Sequence, residues 1–362
     1  MKVYYDNIIF YLQNFGGISV YWNELSKRIK LATNIDIKFI ELIHSKNKFY
    51  DRDLSDKSNI IYDRKLSIKL LRYLPIVNKM VHNNSIFHSS YYRYSPNKNI
   101  KNITTVHDFT YEYHIGGLSA KVHQFQKRLA IKNSSGIICV SKNTKKDLLS
   151  FYPEIDSKIV KVIYSAASDS YYPINNINIL ETRFACLKDK KILSFVGKRV
   201  KYKNFSLAVS ILRNLSSEYH LLIIGGGDLN KEEKEMLLGN ERRVTYIKNI
   251  NEEELNILYN ISFCFLYPSE YEGFGIPVLE SMQAGCPVLC QNISSIPEVY
   301  GKVDNLVMNV NSLTECCENI LKLEDATYRK KVIEQGILNA KNFSWDKTFN
   351  ETFDFYNYVN DL

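Results

Sequence analysis

Two glutamates eight residues apart frame the segment richest in potential chemistry. It runs Pro268-Ser269-Glu270-Tyr271-Glu272-Gly273-Phe274-Gly275-Ile276-Pro277-Val278-Leu279-Glu280-Ser281-Met282. Pro277 suits the first turn of a helix, so the pattern predicts a turn that runs into a short helix. The backbone N–H groups of such a turn form an anion site, and Gly273 and Gly275 let that backbone come close to a phosphate. Glu272, before the helix, and Glu280, within its first turns, are hydrogen-bond acceptors. They suit the hydroxyls of a ribose diol or a sugar ring better than the phosphates themselves. A solvated glutamate and a helix-capping glutamate are the plain alternative.

A second segment is Phe195-Val196-Gly197-Lys198-Arg199-Val200-Lys201-Tyr202-Lys203-Asn204, a strand end, a glycine and four basic residues in six. Ligands of open α/β sheets bind at the carboxyl ends of strands. Arg199 can grip a diphosphate with its fork and Lys203 as a point charge; a solvated basic loop is the alternative. Gly16-Gly17 precedes a predicted helix over Val20–Leu31 without completing a Gly-x-Gly-x-x-Gly dinucleotide fingerprint, and an ordinary tight turn explains it equally well. Thr105-Val106-His107-Asp108 puts a His-Asp pair at a strand exit, suited to hydrogen bonding or acid/base work, or simply to a structural histidine. Gly225-Gly226-Gly227-Asp228 ends another strand.

The elements that carry these segments alternate. Lys38–Ile43, Ser85–His88, Asn102–Val106 and Ser135–Val140 read as buried strands, separated by helical stretches such as Ser119–Asn133 and Asn143–Ser150. Lys191–Val196, Tyr219–Ile224, Arg243–Ile247, Ser262–Tyr267 and Cys286–Cys290 form a second series. Alternation of this kind predicts parallel sheets covered by helices, hence an α/β chain with two successive sheets. The boundary is expected near Tyr172–Asp189, around Pro173 and a polar Asn-rich run. The tail, Trp345–Leu362, reads as an aromatic helix with Phe349, Phe353, Phe355 and Tyr356, able to pack back on the first domain.

The chain has 362 residues and a formal net charge of +8. Residues 1–186 carry 27 basic and 15 acidic side chains, a net of +12, whereas residues 187–362 carry 20 and 24, a net of −4. One half therefore suits an anionic surface or ligand. No nucleic-acid-binding motif accompanies the basic half. No apolar run reaches the length of about 18 residues that spans a bilayer, and the start lacks the pattern of a signal peptide. Seven unpaired-looking cysteines point to a reducing, cytoplasmic setting. The scattered histidines and the lack of Cys-x-x-Cys argue against a zinc site. The run Arg64–Met80 interleaves Arg64, Lys65, Lys69 and Arg72 with large apolar residues around Pro75. Such a segment suits an anionic membrane surface, or an ordinary core-packing helix with basic solvent positions.

Together the segments resemble the family 4 glycosyltransferases, the large retaining group with the GT-B fold. The resemblance runs in order through Gly16-Gly17, Val106-His107-Asp108, Val140-Ser141-Lys142-Asn143-Thr144 and Gly197–Asn204. It continues through the Glu-x7-Glu motif from Glu272 to Glu280, Ala284-Gly285-Cys286-Pro287-Val288 and Ser295-Ile296-Pro297-Glu298. Ser165-Ala166-Ala167 departs from the usual Asn-Gly, and Lys198 stands where an arginine is more usual, so Lys198 and Arg199 both remain candidates for the diphosphate cation.

The resemblance implies two Rossmann-like parallel-sheet domains facing an interdomain cleft. Residues 1–172 would bind the acceptor, residues 187–345 the nucleotide-sugar, and helix 346–362 would cross back. It implies catalytic roles for His107, Arg199, Lys203 and Glu272. Donor contacts would come from Gly16, Gly17, Gly197, Arg199, Lys203, Lys248 in the Ile247–Ile250 loop, Glu272, Gly273, Phe274, Gly275 and Glu280. No metal and no cofactor is expected, the nucleotide-sugar being a substrate.

Expected partners are a nucleotide-sugar, with GDP-mannose foremost, a polyprenyl-diphosphate-linked glycan and the anionic inner face of the cytoplasmic membrane. The setting would be O-antigen or capsule synthesis. A catalytically inactive glycan-binding protein and a GT-B sugar-nucleotide epimerase are the alternatives.

Overall fold

The computed structural model describes residues 1–362 apart from 15, 34, 43–46, 48, 50–56, 64, 65, 77 and 304–306. The chain divides into two units, Met1–Ser165 with Ser344–Leu362, and Ala166–Phe343.

The first unit holds seven strands, β1 (Lys2–Asp6), β2 (Asp36–Glu41), β3 (Ile60–Tyr62), β4 (Ser85–Ser89), β5 (Ile100–Val106), β6 (Gly136–Cys139) and β7 (Val160–Val162). They lie in the order β3-β2-β1-β4-β5-β6-β7, and every pairing is parallel. The second unit holds six, β8 (Lys191–Val196), β9 (Tyr219–Ile224), β10 (Val244–Ile247), β11 (Ser262–Tyr267), β12 (Val288–Gln291) and β13 (Val307–Met308). Their order is β10-β9-β8-β11-β12-β13, again all parallel. Both units are Rossmann-like. Each sheet reverses direction of growth at one place, between β1 and β4 in the first and between β8 and β11 in the second, and such a switch point opens a crevice beyond the strand ends.

The strands read as apolar runs because helices cover both faces. All six residues of β9 are buried, and Leu193, Phe195, Leu221 and Ile223 pack against Phe205 and Leu212 of helix Phe205–Asn214. The short strands β3, β7 and β13 were not evident as runs of this kind. The expected strand Lys38–Ile43 begins earlier, at Asp36, and Ile43 lies outside the described residues.

The division falls after Ser165, ahead of the expected Tyr172–Asp189 boundary, because the intervening chain is fastened to the second unit. Tyr171 packs on Tyr259 with ring centroids 5.9 Å apart. The backbone N–H groups of Tyr172 and Ile174 donate to the side chains of Asn256 and Asn260. Phe184 and Leu187 are buried against Ile192 and Ile224.

The tail forms helix Trp345–Asp361, capped by the Ser344 side chain, and belongs to the first unit. Its buried face is Trp345, Thr348, Thr352, Phe355, Tyr356 and Val359. Phe349 and Phe353 flank that face half-buried rather than forming its centre, because the helical stripe set by Trp345 and Thr352 leaves them to one side. Tyr356 Oη lies 2.9 Å from Tyr5 Oη and 2.6 Å from His88 Nδ1, and His88 Nε2 lies 2.9 Å from Thr105 Oγ1. This buried polar chain ties the tail to β1, β4 and β5.

Burial lowers the His88 imidazole to about 3, and that of His123 to about 3. An unfolded histidine titrates near ~6.5, so between these values the unfolded chain binds more protons than the folded one. Stability is therefore full above pH ~6.5 and falls as the pH drops towards ~3, by up to about 1.4 kcal/mol per pH unit for each such histidine. Thermal melts at stepped pH are expected to show Tm falling on acidification, with a shallower slope in His88→Gln. A Tm indifferent to pH between 6.5 and 4 would contradict the buried neutral assignment.

Candidate functional site

The second unit gathers the two richest sequence segments. Because β8 pairs with β11, the loop after β8, with Gly197–Asn204, lies beside the loop after β11, with Pro268–Gly275. Glu270 N donates to Tyr202 O at 2.8 Å, joining the loops through backbone. Lys203 Nζ forms an ion pair with Glu272. Their side chains are 19% and 14% exposed, so the pair is largely shielded yet reachable. The ammonium also lies 5.4 Å from the Tyr267 ring and 5.7 Å from that of Tyr202, within cation–π range. Burial and the Glu272 carboxylate push the Tyr267 phenol well up, so it remains a neutral hydroxyl.

The Glu272 turn is braced from beyond β12. Ser295 Oγ lies 2.9 Å from the carbonyl oxygens of both Glu272 and Phe274 and shares its one proton between them, and Glu272 N donates to Ser294 Oγ at 3.1 Å. Phe274 is buried and packs edge-on to Phe343. Gly275 then starts helix Ile276–Gln283 at φ 104°, a conformation that favours glycine. Glu280 lies one turn into that helix and accepts from Tyr259 Oη at 3.2 Å. Burial, with this carboxylate adding to it, raises the Tyr171 and Tyr259 phenols strongly.

Arg199 is engaged differently from what its fork suggested. Nη1 donates to Gly225 O at 2.8 Å, and Nη2 to Gly227 O and Asp228 O at 2.8 and 3.1 Å. Nε stands 3.1 Å from Glu233 Oε1, and the side chain is 1% exposed. The guanidinium therefore fastens the loop after β9 to the loop after β8. The neighbouring Lys198 is the exposed cation of the two. Lys248, after β10, pairs with Asp228 at the surface, and Tyr246 Oη donates to Gly227 O. Sequence reading missed Glu233, Tyr246, Tyr267 and the bracing role of Ser294 and Ser295, since each acts through a partner distant along the chain.

The remaining candidates lie in the first unit. Gly16 precedes helix Gly17–Ile29, and Ser19 closes that end by accepting from Gly16 N and donating to Gly16 O. Phe15 lies outside the described residues. Tyr21 of this helix meets the His107 ring edge-on, with centroids 5.0 Å apart. Burial lowers His107 to about 4, so its imidazole is neutral at physiological pH. The Arg64–Met80 run does not form one amphipathic helix. Helix Ile68–Leu71 is a single turn, Leu71 and Ile76 are buried anchors, and Leu66, Leu70, Tyr73 and Leu74 are exposed. Arg64, Lys65 and Val77 lie outside the described residues. Among the described residues no cluster of three or more His, Cys, Asp or Glu is placed to hold a metal, and no helix is long and apolar enough to cross a membrane.

Gly226 is the tightest point of the site. It sits at φ 78°, where a Cβ would strike the Gly197 carbonyl and come within 2.7 Å of Arg199 Nη1. Gly226→Ala is expected to cost about 1–3 kcal/mol, measured by urea unfolding. Wild-type stability in that variant would mean the loops part without penalty.

Residues 180–338 match the family model described as glycosyl transferases group 1. The chain is 27% identical to the O-antigen chain mannosyltransferase B of Escherichia coli over 374 aligned residues, covering 94% of this chain and 95% of that one. It is 28% identical to the O-antigen chain mannosyltransferase RfbU of Salmonella typhimurium, covering 62% of each. Among solved structures, Anabaena HepE in complex with UDP and glucose superposes with a TM-score of 0.75 over 98% of both chains at 14% identity. The match to group 1, the mannosyltransferase relatives and the shared architecture agree with the order of the motifs: residues 180–338 carry the glycosyl transferases group 1 segment, and the chain has the GT-B fold of glycosyltransferases.

Proposed function

We propose that this chain is a retaining, metal-independent mannosyltransferase. It moves mannose from GDP-mannose to a hydroxyl of a polyprenyl-diphosphate-linked glycan, in bacterial surface-polysaccharide synthesis at the inner face of the cytoplasmic membrane. The observation that carries this reading is the Lys203–Glu272 pair at the switch point between β8 and β11. A cation for the diphosphate and a carboxylate for sugar hydroxyls stand side by side where a ligand of such a sheet binds. The two O-antigen mannosyltransferase relatives support the choice of sugar and setting.

On this reading Lys203 and the backbone amides around Gly197 and Phe274-Gly275 meet the diphosphate. Glu272 accepts from donor-sugar hydroxyls, Glu280 from the ribose diol, and the loop of Lys248 borders the base. Arg199 positions the loop after β9 rather than spending its fork on phosphate. Gly16 and Gly17 offer a helix N-terminus to the diphosphate, and His107 offers a neutral imidazole to the transferring centre.

Breaking the anomeric bond builds negative charge on the diphosphate and positive charge on the sugar. Fixed cations and amides stabilise the leaving charge without a metal. Attack on the same face preserves the anomeric configuration, and a leaving phosphate oxygen takes the proton of the acceptor hydroxyl.

Lys203→Ala is expected to lower kcat by about 10²-fold or more, the scale of losing one preorganised charge-stabilising group. Full turnover in that variant would remove Lys203 from the mechanism. Thermal-shift screening against GDP-, UDP- and dTDP-sugars is expected to single out GDP-mannose. NMR of the product should report the donor's anomeric configuration, and an inverted linkage would rule out retention. Transfer is expected to persist in excess chelator.

A further inference from the structure

The first unit has a groove between the segment Tyr73–Pro75 and helix Leu118–Lys132, with about 440 Å³ of open space. It is an open surface groove, of a size for part of an alkyl chain, not an enclosed ligand cavity. Leu74, Val122, Phe125 and Leu129 give it an apolar lining. Phe125 is 63% exposed and Leu118, on the same helix, 79%, an unusual display for large apolar side chains.

Polar groups at this place lack partners. Gln126 lines the groove, is only 5% exposed, and its Oε1 has no hydrogen bond among the described residues. Its Nε2 donates to the carbonyl of Arg72. Arg72 Nε is also buried without a partner, while its Nη2 donates to Tyr91 Oη at 2.9 Å. Buried polar atoms are nearly always paired in folded proteins, so the Gln126 acceptor in the groove calls for a ligand hydroxyl, and the Nε of Arg72, the residue whose carbonyl Gln126 holds, calls for an anionic oxygen. The sequence on both sides is uniformly basic. Apart from Lys127, which is buried against Glu112, residues 64–79 and 118–132 contain eight lysines and arginines and no acidic residue.

We infer that this groove seats the apolar chain of an anionic amphiphile, with a phosphorylated, hydroxyl-bearing head against Arg72 and Gln126. The inference rests on the proposed lipid-linked acceptor and gives its chain a location.

Calorimetry of the full chain with hexyl, octyl and decyl phosphate, below their micellar concentrations, tests it. Each methylene that enters the groove is expected to tighten binding about three- to fourfold, and inorganic phosphate alone should bind too weakly to detect. The double variant Val122→Ser, Phe125→Ser changes exposed positions only, so its melting should match the wild type. It is expected to lose at least tenfold in affinity for decyl phosphate while binding GDP-mannose as before. Arg72→Leu should erase the preference for decyl phosphate over decanol.

Affinity independent of chain length would overturn the proposal, as would wild-type affinity in the double variant. Loss of binding to anionic vesicles with alkyl-phosphate binding intact would also overturn it, by marking a flat membrane contact instead. Failure of GDP-mannose to bind would count against the proposed donor alone, because the alkyl-phosphate titration does not involve it.

Discussion

The pairing of β8 with β11 is the constraint on which the second unit's chemistry depends. These strands are separated in sequence by β9, β10 and their helices, yet adjacent in the sheet. Sheet order alone brings Lys203 within reach of Glu272 across 69 positions. Everything else in the site reads as support for those two loops. The Glu270–Tyr202 backbone bond joins them. Ser295 holds the carbonyls of Glu272 and Phe274 from one side, and Arg199 holds the Gly225–Asp228 turn from the other. A loop braced in this way is held by the chain's own contacts, which is what the electrostatic preorganisation of the proposed mechanism requires.

The positive charge of the chain divides into two kinds. Inside, cations are paired: Arg93 with Asp6 and Asp63 at 3.0 and 2.6 Å, Lys127 with Glu112 at 2.8 Å, Arg199 with Glu233. Such pairs offset the desolvation of both partners and specify geometry more than they add stability. They contribute little to any outward field. The net +12 of the first 186 residues is therefore expressed at the surface, while the acidic second half works with a few placed cations.

How much of this was legible follows from where the information sits. Buried parallel strands announce themselves as apolar runs, so β8, β9 and β11 could be read to within a residue, and Pro277 marked the start of the helix after Gly275. Two- and three-residue strands such as β3, β7 and β13 carry too little pattern. The face of the tail helix misled because aromatic residues outnumber the small polar ones that line it. Thr348 and Thr352 are buried there while Phe349 and Phe353 stand aside. Arg199 is the sharpest case. Its residue type and position suggested phosphate, but the partners that occupy it come from a glycine turn after a different strand. Nothing local in the sequence records that Gly226 has no room for a Cβ.

The ion pair itself bears on how such a site turns over. An ammonium has three N–H donors, and Glu272 takes one, so Lys203 can meet a diphosphate without releasing the carboxylate. The carboxylate's charge nevertheless tempers the attraction for a bound dianion. On the proposed mechanism the leaving diphosphate carries more negative charge in the transition state than in the donor. A cation already partly neutralised gives up affinity for the ground state, while its fixed position still favours the charge that develops later. Catalysis depends on that difference and not on tight binding of the donor. The neutral environment of Tyr202 and Tyr267 around the ammonium serves the same end, since their rings exclude water and preserve the field at short range.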